Sequence, residues 1–259
     1  MAKPKHPIVM LWAHPRSMST ATERIMRERG DFHCMHEPFM YYYYVHLGKK
    51  RLPHFEIEAG RPSDFNDILA MLFESAQKSP VFSKDMAYYV LPEIYQYPAL
   101  ANNLLHFFLV RDPRRAILSY HKLDPDLQCD EVGIESQWQL FRWIKDHTGT
   151  APMVMRAEDI QDNPQCIIGA MWQQIGLEFI AEAFEWNRED TPEDWQQVNQ
   201  WHHTALTRRS IKPQRSSEWE LQAAFEKAVN TAPQLQHYLD HHMPFYTELV
   251  AAAERSLAR

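Results

Sequence analysis

Glycine is scarce in this chain, at 7 of 259 residues, and cysteine scarcer, at three. Cys34, Cys129 and Cys166 are an odd number at no ligand-like spacing. That excludes a disulfide scaffold and a cysteine-based zinc cluster together, and leaves them as buried thiols. No apolar run reaches the roughly 18 residues that a membrane span needs. The first short one, Pro7 to Ala13, is cut by His14 and Pro15 before it could serve as the core of a secretion signal. A cytoplasmic protein without a membrane partner is the expectation. Basic residues are in deficit, 27 Lys+Arg against 34 Asp+Glu for a formal charge of -7. Nucleic acid is therefore excluded as a general partner, and any anionic ligand must be held by a local cluster of cations.

Composition is otherwise that of a chain able to build a core, 45% hydrophobic with 12% aromatic residues. The length suits one large α/β domain, and a single domain over residues 1–259 is expected. Five short β-rich runs punctuate the chain: Pro7 to Trp12, Phe32 to Met35, Pro80 to Ser83, Leu105 to Val110 and Pro152 to Met155. The third and fourth are almost continuously apolar, as parallel strands covered on both faces are. The pattern implies an α/β fold of three layers, a central parallel sheet of about five strands with helices on both faces.

Two helices carry their own start signals. Asn163 is a good N-cap, Pro164 fits the first turn, and Ile167, Ile168, Met171, Trp172 and Ile175 recur at helical spacing before Gly176. Ser217 and Glu220 have capping-box spacing, and a last helix is expected from about Pro244, so residues 217–259 read as a helical C-terminal part. Residues 190–215 are polar and aperiodic, and carry Trp195, Trp201 and the run Thr207-Arg208-Arg209-Ser210. They are expected to form a long loop or lid with short helical pieces.

Chemistry enters with the first strand, which runs into His14-Pro15-Arg16-Ser17-Met18-Ser19-Thr20 and then a helix-forming stretch to Gly30. A strand, a tight loop with a cation and hydroxyls, and a helix N-terminus together make an anion site, because backbone N–H groups and the helix dipole converge there. Pro15 to Thr20 resembles the 5′-phosphosulfate loop, P-[KR]-S-G-[ST]-T, of sulfotransferases that use 3′-phosphoadenosine-5′-phosphosulfate (PAPS); five of six positions agree. The fourth strand leads into Arg111 and, eight residues on, Ser119, similar to that family's 3′-phosphate motif. Ala157-Glu158-Asp159-Ile160 followed by Asn163-Pro164 resembles its Y-E-D-L and D-P pair. The three matches stand in order over a nucleotide-binding core of about residues 7–179.

The resemblance implies a P-loop-type fold, PAPS as donor, 3′-phosphoadenosine-5′-phosphate (PAP) as product, and a hydroxyl of a small molecule or carbohydrate as acceptor. It places the loop, with Arg111 and Ser119, at the donor, and Arg208 and Arg209 of the lid segment are further candidates for phosphate contacts. Met18 stands where the family loop usually has glycine, so either the backbone there avoids a positive φ or the loop is reshaped. In the cytosolic branch the base is a histidine in K-T-H-x-P; here Lys84 is retained and Met86 holds the histidine position. His36-Glu37-Pro38-Phe39 is similar to the site of bacterial carbohydrate sulfotransferases, in which a glutamate takes the acceptor proton. Glu37 is thus the candidate base, His121 the fallback, and Arg16 and Lys84 the candidate cations for the charge that grows on the bridging oxygen.

The arrangement asks for no metal. Asp124, Asp126, Gln128 and Glu135 imitate a calcium loop but put Cys129 where the turn needs glycine, and the pair His241-His242 is read as ordinary histidines. Two other readings stay open. A P-loop kinase would need G-x-x-x-x-G-K-[ST], and the loop has neither glycine nor lysine. A non-catalytic nucleotide-binding protein of the same fold would need only the donor motifs.

Overall fold

Each of the five β-rich runs forms a strand: β1 (Ile8–Ala13), β2 (His33–His36), β3 (Val81–Met86), β4 (Leu105–Val110) and β5 (Met153–Arg156). All pair in parallel in the order β2-β3-β1-β4-β5 in the computed structural model. It describes residues 3–186, 192–198, 200–201, 207–213 and 216–257. The chain winds from β1 out to β2, back through β3 and across to β4 on the other side of β1. Loops leaving the strand ends therefore part at β1, which opens a crevice along the C-terminal edge of the sheet.

Helices fill the crossovers: α1 (Ser19–Arg29), α2 (Phe65–Ser75), α3 (Ala87–Ile94), α4 (Leu100–Asn103), α5 (Pro113–His121), α6 (Ile134–Thr148), α7 (Ala157–Asp162), α8 (Pro164–Gln174) and the short α9 (Glu193–Gln196). Two longer ones close the chain, α10 (Glu218–Thr231) and α11 (Gln234–Leu257). Side-chain alternation along β1 feeds two cores. Ile8, Met10 and Trp12 join the larger one with α2, α3, α6 and α11, while Val9 and Leu11 join the smaller one with α1 and α8.

Local signals hold where they are strong. Asn163 caps α8 by accepting from Cys166 N at 3.1 Å, and Ser217 and Glu220 form the complete capping box of α10. Two boundaries differ from expectation by more than a residue. The last helix starts at Gln234, and Pro244 lies inside it. Proline forgoes one backbone bond, but Leu239, Leu249, Ala252 and Ala253 bury both halves of the helix in the larger core, which outweighs that loss. β3 runs three residues past Ser83, because Lys84, Asp85 and Met86 pair with Leu11, Trp12 and Ala13. Among the described residues no helix is long and apolar enough to cross a membrane.

Candidate active site

The loop after β1 is built on strained backbone. Arg16 and Met18 have φ of 64° and 72°, and Glu37 across the crevice has 43°; His54 is the one other non-glycine residue with positive φ among those described. Strain of this kind, about 1 kcal/mol or more per residue, persists where surrounding contacts fix it, and it gathers at functional sites. The methionine does not avoid the positive φ, one of the two outcomes its sequence position suggested; it adopts the left-handed geometry. Its carbonyl accepts from Ala21 N at 3.0 Å and Thr22 N at 3.2 Å, and its side chain packs against the smaller core. As the N-cap of α1 it offers no side-chain cap, and neither Ser19 nor Thr20 takes that position. A helix end whose N-cap residue supplies no side-chain oxygen is one that suits an anion.

His14, buried to 0% exposure, pegs this loop to the one after β4. Its Nδ1 hydrogen donates to Pro15 O at 3.1 Å, and its Nε2 accepts from Arg111 N at 3.0 Å. Burial, then the nearby His242 and Arg111, lowers its pKa to about 3, so the ring is neutral. Gly133, at φ 79°, starts α6 so close that a Cβ there would meet the Tyr88 ring at 3.0 Å and Pro15 at 3.4 Å.

Two arginines converge on the crevice. Arg16 donates from Nε to Ser119 Oγ at 2.9 Å and from Nη1 to Trp201 O at 2.5 Å. Arg111 donates from Nη1 to Arg16 O at 2.8 Å, and its buried Nε has no hydrogen-bond partner among the described residues. Burial and then the charge of Arg111 bring Arg16 down to about 10, and burial lowers Arg111 as well. Two cations held against each other, with no carboxylate in salt-bridge contact among the described residues, favour an anion between them.

Glu37 faces them across the same cavity of about 330 Å³, which Pro15, Arg16, Met18, Ser19, Thr20, Arg111 and Ser119 also line. Its backbone N–H donates to Lys84 O at 2.9 Å, and Asp85 accepts from Phe39 N at 3.2 Å, so β3 holds the turn at two points. The Glu37 carboxylate is ion-paired with Lys84 and accepts from Tyr89 OH at 3.0 Å. Burial would raise its pKa, but the Lys84 ammonium, His36 and the Tyr89 hydroxyl more than offset that and hold it below the usual carboxylate range. Asp85 goes the other way: burial and the charge of Glu37 raise it well above that range. Met40, Tyr44, Leu52, Met86 and Tyr88 give the wall on the Glu37 side its apolar and aromatic character.

Other residues singled out in the sequence lie as follows. Ser17 is fully buried with its Oγ unpartnered among the described residues, and it does not line the cavity. Lys84 is likewise off the wall, wholly buried behind Glu37. Arg208 lines the cavity, whereas Arg209 is exposed and contributes its carbonyl to Trp186 N. Of the segment 190–215, α9, Trp201 and 207–213 are described, and residues 190–191, 199, 202–206 and 214–215 lie outside the described residues. His121 does not line the cavity. Tyr44 does, while Tyr41, Tyr42 and Tyr43 pack into the larger core. In the calcium-like loop, Lys50 Nζ sits 2.6 Å from Asp124 and 2.8 Å from Glu131, a cation supplied by the chain itself. Cys129, His241 and His242 come together, yet both ring nitrogens of His242 are engaged by backbone, Nε2 with Cys129 O at 2.7 Å and Nδ1 with Glu135 N at 3.3 Å.

Sequence reasoning missed His14, Tyr89 and Lys212. The last could have been found, since Arg208 to Lys212 is one basic run and both its ends reach the cavity. His14 and Tyr89 act through contacts distant in sequence and carry no local signal.

A family model described as a sulfotransferase domain matches residues 8–253. Two Arabidopsis thaliana proteins, the branched-chain-amino-acid aminotransferase-like proteins 2 and 1, are each 22% identical to the chain, over 76% and 99% of it. The matches cover 35% and 43% of those relatives, so the chain spans less than half their length. Among solved structures, the sulfotransferase domain of the Synechococcus PCC 7002 olefin synthase has 16% identity and a TM-score of 0.46, covering 88% of this chain and 98% of that one. The sulfotransferase domain of the curacin biosynthetic pathway has 12% identity and a TM-score of 0.49 at the same coverages.

Proposed function

The chain belongs to the sulfotransferase-domain family, and from that premise we propose that it transfers a sulfuryl group from PAPS to a hydroxyl of a small-molecule or carbohydrate acceptor. The observation that carries this reading is the pairing of Arg16 with Arg111, unneutralised by any carboxylate in salt-bridge contact among the described residues, opposite an ionised Glu37 on one cavity wall. The site suits a donor with two separated anionic groups. Arg16, the Pro15–Thr20 loop and the uncapped α1 N-terminus would hold the phosphosulfate. Arg111 and Ser119, with Arg208 and Lys212 on the wall, would hold the 3′-phosphate.

Transfer then needs three things of these residues. The acceptor oxygen attacks sulfur from the Glu37 side. Its hydroxyl proton becomes acidic as the new bond forms, so even a carboxylate held below the usual range can take it. Arg16 meets the negative charge that grows on the bridging oxygen as the nucleotide leaves. Lys84, buried behind Glu37, keeps that carboxylate ionised and aimed. The chain works in this reading as one domain, and its unpaired cysteines agree with a reducing, cytoplasmic setting. Transfer of labelled sulfate from PAPS to any member of a panel of alcohols, phenols and sugars would support it. Tight PAP binding with no transfer to any acceptor would favour a non-catalytic nucleotide binder.

Two outcomes test the donor. PAP should stabilise the fold by about 2.7 kcal/mol at a hundredfold excess over its dissociation constant, and ATP much less, because ATP has no 3′-phosphate. Arg111→Ala should remove most of that difference and Ser119→Ala part of it, both read as thermal shifts. Equal shifts for PAP and ATP in the parent would remove the PAPS assignment. Turnover should also survive EDTA, since the cations on this wall are side chains. Loss on chelation with recovery on adding magnesium alone would point to kinase chemistry.

A further inference from the structure

The cavity has two ends of different character. Strand order puts the turn after β2, which carries Glu37, and α7 after β5, which carries Gln161, at opposite edges of the sheet. Three buried polar atoms on its wall have no partner among the described residues: Arg111 Nε, Gln161 Oε1 and Trp186 Nε1. Arg111 and Gln161 follow β4 and β5, and Trp186 lies in the smaller core, against which Met18 and Ala21 pack. Groups still open to a polar ligand thus stand on the donor's side.

The Glu37 end is drawn from the larger core. Met40, Leu52, Met86 and Val198 line it, with the rings of Tyr88 and Trp201. Polar groups there are turned to one another. Tyr89 donates to Glu37 at 3.0 Å, the Tyr44 and Tyr88 hydroxyls are hydrogen-bonded at 3.2 Å, and Trp201 gives its indole hydrogen to Pro53 O at 2.8 Å. Glu37 is the one charged side chain at this end among the described residues, since Lys84 is engaged by it off the wall.

Such a wall discriminates between acceptors. A sugar carries a hydroxyl on nearly every carbon, and all but the reacting one would exchange water for methionine, leucine and ring faces. An anionic acceptor would meet the Glu37 carboxylate with no cation beside it to answer its charge. A flat ring with one hydroxyl has neither problem: its faces and edges meet tyrosine and tryptophan rings, the methionines adapt to its substituents, and its polar atom is the one that reacts. The base points the same way. A carboxylate held below the usual range is a weak base, and it takes a proton more readily from a phenol, with a pKa of about 10 like the tyrosine side chain, than from an alcohol, which resembles water at about 15.7.

Resting on the reading of this cavity as a sulfuryl-transfer site with Glu37 as base, we propose that the acceptor is an uncharged phenol seated against the methionine and tyrosine wall, and that carbohydrates and carboxylates are rejected there. The phenol O–H bond breaks toward Glu37 as its oxygen bonds to sulfur. The bond from sulfur to the bridging oxygen breaks with its electron pair staying on the departing PAP. An aryl sulfate, PAP and a proton that Glu37 returns to water are the products.

Steady-state release of PAP from PAPS by the full chain, corrected for release without acceptor, tests this with acceptors matched in size. 4-Methylphenol should exceed methyl glucoside in kcat/KM by about 10²-fold or more, and 4-methylcyclohexanol and 4-hydroxybenzoate by about tenfold or more each. Met86→Gln keeps the length of the side chain but brings an amide to the wall. It should raise the KM for 4-methylphenol about tenfold with kcat changed much less, while an unchanged PAP thermal shift reports that the variant is folded. The parent comparison depends on no variant. The proposal is overturned if methyl glucoside, the saturated alcohol or the carboxylate matches 4-methylphenol, or if folded Met86→Gln leaves the KM unmoved. Where Glu37→Gln still abolishes turnover of the better acceptor, the phenol assignment falls and the reading of Glu37 stands. PAP binding with no release for any acceptor would overturn both together.

Discussion

Glu37→Gln is expected to lower kcat by roughly 10²- to 10⁴-fold, the usual worth of a general base, with PAP affinity nearly unchanged. The amide keeps the size of the side chain and one oxygen to accept from Lys84, while its NH2 takes the place of the oxygen beside Tyr89 OH and can donate to it, but it cannot accept a proton. Substrate assembly on the arginine side does not involve Glu37, so the PAP thermal shift serves as an internal control for folding and donor binding. Some stability should be lost too, because the Lys84 ammonium then faces a neutral group, and rates are to be compared well below the variant's Tm. His121→Gln separates the two candidate bases. Its ring does not line the cavity, so its effect should be mild. If His121→Gln lost two or more orders of magnitude while Glu37→Gln kept more than about a tenth of parent kcat, the base assignment would be wrong and the family assignment untouched.

Legibility in the sequence followed the range of the interaction. Apolar runs bounded by prolines gave the five strands, and Asn163 and the Ser217–Glu220 pair gave helix starts, because those signals are carried by neighbours in sequence. The tail of β3 was invisible, since Lys84 and Asp85 look like the end of a strand until their pairing with Leu11 and Trp12 is known. The donor motifs led to Arg16, Arg111 and Ser119, which the fold brings into mutual contact across 95 and 103 residues of chain. They could not reveal His14, whose work is to bind Arg111 N, 97 residues away. Nor could they reveal Glu23, a helix glutamate whose spacing four residues before Arg27 reads as an exposed ion pair. That it is buried under Trp195 is a tertiary fact. Lys84 shows the limit of a resemblance most plainly: the motif points its charge at the bridging oxygen, and here the ammonium is spent on Glu37, off the cavity wall.

Lys84→Met is the second large effect, and its signature is a reversal of pH dependence. In the parent, the folded-state pKa of Glu37 lies below the ordinary value of about 4.3. The pair's contribution to stability is therefore complete above that pH and is lost as pH falls through the lower folded value. Methionine fills much of the same volume but leaves a buried carboxylate with no ammonium, and breaking one side of such a pair costs about 3–5 kcal/mol. Burial, the largest influence on this carboxyl, then has only His36 and the Tyr89 hydroxyl against it and should raise its pKa above the ordinary value. A raised acid favours the fold below its ordinary pKa and disfavours it as pH rises, so Lys84→Met should gain stability from pH 7.5 to pH 4.5 where the parent does not. Urea midpoints at the two pH values measure this directly. Adding Glu37→Gln removes the ionisable group, and the double variant should recover most of the neutral-pH loss and show a flat profile, the non-additivity expected of residues in contact. Activity gives an independent reading: Lys84→Met should be slower than the parent at neutral pH, with Glu37 holding more of its proton, and should regain rate as the pH is raised. A loss of stability that is equal at both pH values and survives in the double variant would mean that Lys84 matters here for packing and not for the charge it gives Glu37.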